Sequence, residues 1–132
     1  MVNLLKKSFL LVTLFSSFSF AQELTLRHVM QKVDFETLKI LQGFIWNNDR
    51  MILEGAKEIA EHPMPKGGPA KYIPKEKRKI FMQNMKSFEK MVHGSAEDII
   101  KLVKEGKKEE AFNKFNNMVN GCMSCHKLFR GW

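Results

Sequence analysis

The chain has 132 residues, with 22 lysines and arginines against 14 acidic residues, a formal charge of +8. Its length suits one modest domain, and two cysteines exclude both a four-thiolate zinc site and a disulfide-stapled scaffold. The basic excess gathers at residues 71–79 and 101–108 without the interleaved aromatics of a nucleic-acid binder, so nucleic acid is not an expected partner.

The first 21 residues read as a secretory signal peptide. Lys6 and Lys7 are followed by the apolar run Phe9 to Phe15, and small residues lead to Ser19-Phe20-Ala21, a cleavage site before Gln22. The run is shorter than the roughly 20 residues a membrane span needs. The expected mature domain is therefore 22–132, exported to the periplasm, with no transmembrane segment.

Residues 24–47 form the first expected helix. Leu26, Met30, Val33, Leu38, Leu41 and Ile45 recur at steps of three to five and predict its buried stripe. Asn47-Asn48-Asp49 interrupts it, with Asp49 the expected cap of a second helix over 50–61, whose apolar side carries Ile52, Ala56, Ile59 and Ala60; one long kinked helix is the alternative. Three prolines and two glycines between His62 and Pro69 stop helix formation, and the linker runs on to Pro74. A third helix is expected over 75–104, with Ile80, Phe81, Met85, Phe88, Met91, Val92, Ile99, Ile100 and Val103 inward and a bend at Gly94-Ser95. Gly106 ends it. The fourth, over 108–130, places Phe112, Phe115, Val119, Cys122, His126 and Phe129 at steps of three or four. No segment alternates with the period of a strand. The expected class is all-α, an antiparallel four-helix bundle.

The last helix carries the chemistry. Cys122-Met123-Ser124-Cys125-His126 is the C-x-x-C-H pattern of covalent c-type haem attachment. Each thiol can form a thioether with a haem vinyl group, and the His126 imidazole can ligate the iron. On a helix the three side chains share one face. A disulfide between the two thiols is the competing reading, against which the adjacent histidine and the lack of strand–turn context weigh. No paired carboxylates, serine nucleophile or phosphate loop stands out, so an enzyme is not expected.

With its attachment motif at the end of four expected helices, the chain resembles the class II cytochromes c, the cytochrome c-prime and c-556 group. The resemblance covers residues 24–132 and includes the aromatic and basic residues after the motif, here Phe129 and Arg130. It implies a four-helix bundle with one haem c, His126 as proximal ligand, and redox partner proteins. It also implies that members of the family pair as homodimers through their first two helices. In the c-556 branch a methionine early in the first helix fills the sixth iron position, and Met30 is the residue at that place. That arrangement implies a one-electron carrier. In the c-prime branch an apolar residue blocks this side, leaving five-coordinate iron that binds nitric oxide or carbon monoxide. His28 competes with Met30, as do His62 and Met64 in the linker; His93 is expected to face solvent. Arg130 is placed by the resemblance near the proximal side or a propionate, with Arg27 and Arg50 as other propionate partners.

Overall fold

In a computed structural model, residues 23–130 are described. The expected signal peptide, 1–21, lies outside them, as does Trp132. The elements are α1 (Leu26–Ile45), α2 (Asp49–Ala60), two 3-10 turns (Pro69–Tyr72 and Lys75–Lys77), α3 (Arg78–Glu89), a π turn (Lys90–Gly94), α4 (Ser95–Lys104) and α5 (Lys108–Phe129). α3, the π turn and α4 run on as one rod through αR backbone. The described residues thus form four helical rods and no strand.

Local chemistry sets the rod ends. Thr25 caps α1 by accepting from the His28 N–H, and His28 stands where a capping box usually has Glu or Gln. At the far end Asn47 takes a left-handed φ of 54° and the Asn48 N–H donates to Gly43 O at 2.8 Å, a Schellman closure. Asn48, not Asp49, then caps α2, its Oδ1 accepting from the Met51 N–H. Asp49 is instead the first helical residue, where its charge suits the helix dipole. Gly106, at φ 74°, lets the Lys107 N–H reach Leu102 O and ends α4 in the same way.

α1 packs on α2, α2 on α4, and α4 on α5, while α5 also lies along the π turn. Two glycines bring α1 and α2 close. A Cβ on Gly55 would meet Ile40 Cγ1 at 2.7 Å, and one on Gly43 would meet Ile52 Cγ1 at 2.8 Å. Val29, Val33, Ile40, Ile52, Ala56, Ile59, Ala96, Ile99, Val103, Ala111, Phe115 and Met118 make one continuous core. Hydrophobic burial there is the main stabilising term.

The buried side of α1 keeps Val33 of the expected stripe, with Met30 partly buried, but not Leu38, Leu41 and Ile45. Val29, Val33, Glu36, Ile40 and Gly43 face inward, whereas Phe35, Leu38, Leu41, Ile45 and Trp46 are exposed. Close approach to α2 selects the face that carries Gly43, and the bulkier apolar row is turned outward. At the expected bend, Gly94-Ser95, the rod passes from the π turn into α4 through αR backbone. The expected third helix begins not at Lys75 but at Arg78, after the second 3-10 turn. No described helix is long and apolar enough to cross a membrane.

Candidate functional site

The end of α5 that carries the motif is held from several sides. Gly121 is buried against Met91 and Val92 of the π turn. Phe129 meets Phe81 and Phe88 edge-on, with ring centroids 5.2 and 6.2 Å apart. Lys77 Nζ donates to Leu128 O at 3.0 Å, satisfying a carbonyl of the last turn. The motif helix is therefore fixed by the rod beside it.

Cys122 and Cys125 are unbridged and partly buried, and burial pushes both thiols above their ordinary pKa. His126 is held below its usual range, first by burial and then by the Arg130 guanidinium, while Asp34 of α1 acts in the opposite sense. The result favours a neutral ring, the form that ligates metals. Asp34 reports where α1 lies, because its carboxylate acts on the His126 ring. Met30 is one turn from Asp34 on α1, partly buried and packed against the core.

α1 and α5 are joined by aromatics at the opposite end. Phe44 sits edge-on to Phe112 at 5.2 Å and tilted against Phe115 at 5.9 Å. Lys108 there pairs with Asp49 at 2.8 Å. Along the rest of their length the two helices are not a principal packed pair. The seam is thus closed at Phe44, while toward its other end the Asp34 carboxylate of α1 acts on His126. The α5 residues fit a covalent haem: two thiols and an imidazole held toward its neutral form share one helix face.

The competing side chains are engaged elsewhere. The Thr25 N–H and hydroxyl approach His28 Nδ1 at 3.4 and 3.1 Å, so this nitrogen accepts from the backbone and the ring is drawn to the helix start. His62 is paired with His93 of the π turn, their Nε2 atoms 3.0 Å apart. His93, expected in solvent, is half-buried beside it. Met64 is exposed in the linker. Arg130 is exposed and close enough to act on His126, while Arg27 and Arg50 are exposed on α1 and α2. Sequence reasoning missed Asp34 and the His62–His93 pair. Both are contacts between distant segments that spacing along one helix does not reveal.

Among the described residues no group of three or more histidine, cysteine or acidic side chains is arranged to hold a metal ion. Shallow grooves lined by Asp98, Lys101, Glu105 and Lys114 open along α4 and α5, away from the motif. No protein family, no curated protein and no solved structure matches the chain.

Proposed function

We propose that the chain is an exported, periplasmic c-type cytochrome of the class II kind, a one-electron carrier and not an enzyme. The observation that carries this is the position of Cys122, Cys125 and His126 on one partly buried face of α5; Met30, partly buried on α1, is the ligand proposed for the other side. Cys122 and Cys125 would hold a single haem c through thioethers. His126 would ligate iron from one side and Met30 from the other, in an antiparallel bundle. The bound group would supply reversible one-electron oxidation and reduction.

The chain's own residues set the conditions. Burial keeps His126 neutral and ready to ligate. A Met30 thioether on the iron would favour its reduced form. Arg130 adds positive charge beside the imidazole, which further favours reduction. Lys77 touches the end of α5, and Lys75 and Lys79 are its exposed neighbours in the chain. They suit an acidic redox partner. The exposed row on α1 supports self-association.

Two measurements test the reading. Denaturing mass spectrometry of protein matured with the attachment machinery should give the chain mass plus one haem; a chain without it overturns the proposal. The ferric spectrum should be low-spin, with a sulfur-to-iron charge-transfer band at the red edge of the visible range. Met30→Ala should abolish the band, raise the spin state and open the iron to carbon monoxide, while His28→Ala should leave the band intact. Loss of the low-spin spectrum in H28A alone would make the site bis-histidine. A high-spin wild type binding carbon monoxide directly would make it a five-coordinate gas-binding protein.

A further inference from the structure

His62 and His93 come from different segments, the linker after α2 and the π turn inside the third rod. Their rings meet at a centroid separation of 4.8 Å and an interplanar angle of 74°. The two Nε2 atoms are 3.0 Å apart. Metal–imidazole bonds of about 2.0–2.1 Å at a right angle place two nitrogens about 2.9 Å apart, against about 3.3 Å for a tetrahedral ion. The observed spacing is that of two neighbouring ligands on a square-planar or octahedral ion.

We infer that His62 and His93 form a metal site of their own, a two-imidazole chelate for a divalent late transition-metal ion of the cupric or nickel kind. The tautomers favour it. His62 Nδ1 lies 3.2 Å from Pro63 O, and a carbonyl can only accept, so the proton sits on Nδ1 and the lone pair on Nε2 points at His93. This is the outer-shell bond that usually orients a ligating histidine. His93 is kept neutral by burial and by its neighbour. Glu89 and Glu97, one turn before and one turn after it, add negative potential that suits a cation. A π turn often marks a functional position, and here it carries His93. No third side chain completes the group among the described residues, so water supplies the other positions. Copper and nickel stand high in the affinity order for nitrogen ligands and accept such right-angled sets.

The rival is a plain hydrogen bond, with a proton on His93 Nε2 donated to His62. Titration with cupric chloride and with nickel chloride near neutral pH separates the two. The protein is the haem-loaded chain or, where thiols remain free, the chain with both cysteines alkylated, so the result does not depend on the haem proposal. One equivalent should bind, and pulsed paramagnetic resonance of the copper form should show two imidazole nitrogens. His62→Gln and His93→Gln should each weaken binding by on the order of tenfold or more, and His28→Gln should leave it unchanged. Circular dichroism checks the fold, and if H93Q unfolds, H62Q in the linker decides alone. Absence of stoichiometric binding, a single imidazole, or affinity that survives H62Q overturns the inference.

Discussion

Gly121 and Met91 are in direct contact: a Cβ built on Gly121 would fall 2.8 Å from the Met91 Cβ, and 3.1 Å from Val92 Cγ2. The residue before the first cysteine is therefore what lets α5 lie against the π turn. Gly121→Ala should destabilise the fold by about 1–3 kcal/mol through overpacking, lowering the urea midpoint and the yield of covalently loaded protein. Ser124→Ala, on the exposed side of the motif, should stay within about 0.5 kcal/mol of wild type.

Glu36 is the one acidic residue on the buried face of α1, and its Oε2 has no hydrogen bond among the described groups. Lys39 approaches that oxygen only at 3.9 Å and pairs with Glu54 at 2.9 Å instead. Burying a polar group without a hydrogen-bond partner costs roughly 1–3 kcal/mol. Glu36→Met should therefore raise the urea midpoint, whereas Glu54→Ala, which removes an exposed pair, should change stability by less than about 1 kcal/mol.

Stability should depend on pH through His93. Burial and then His62 hold its pKa below the unfolded value, with Glu89 and Glu97 opposing. The unfolded chain, with a histidine pKa of about 6.5, therefore binds more protons than the folded chain between the two values. Stability is complete above that range and falls as pH drops through it, until His93 itself is protonated. His126 is shifted in the same direction. The difference between wild type and His93→Gln in urea unfolding against pH isolates the His93 part. Equal slopes for the two proteins would contradict this account.

Phe35, Leu38, Leu41, Ile45 and Trp46 form an apolar row on the outer face of α1. Sedimentation velocity should show a concentration-dependent dimer that Leu38→Glu shifts to monomer. Leu38 is 58% exposed, so the substitution should leave thermal unfolding of the monomer nearly unchanged.

The four rods and the joints between them were legible, because caps and breakers act locally. Gly106, the Asn47-Asn48 pair and the proline-rich linker all do what their chemistry dictates. The grouping of Cys122, Cys125 and His126 was equally plain, since the three lie within one helix and their spacing alone puts them on one face. The core side of α1 was not legible. Leu38, Leu41 and Ile45 compete with Val29, Val33 and Ile40 for the interior, and the choice is made by Gly43 and Gly55 at the contact with α2. Hydrophobic periodicity cannot see that contact. His93 was misjudged for a related reason: it is half-buried and meets His62, 31 positions away in the chain.

The π turn has a further consequence for how this chain tolerates change in length. A π turn spends one more residue than an α turn, while the helix on either side keeps its own winding. Removing one residue from Lys90–Gly94 should leave α3 set against Phe129 and α4 set against the core, with an unbroken α-helix between them. The same deletion at Met85 has no spare residue to absorb it and would turn the preceding part of the rod by about 100°. The third rod thus holds one position where loss of a residue keeps both flanking helices in place, and the change falls on the paired imidazoles and on the Met91 and Val92 contacts with Gly121.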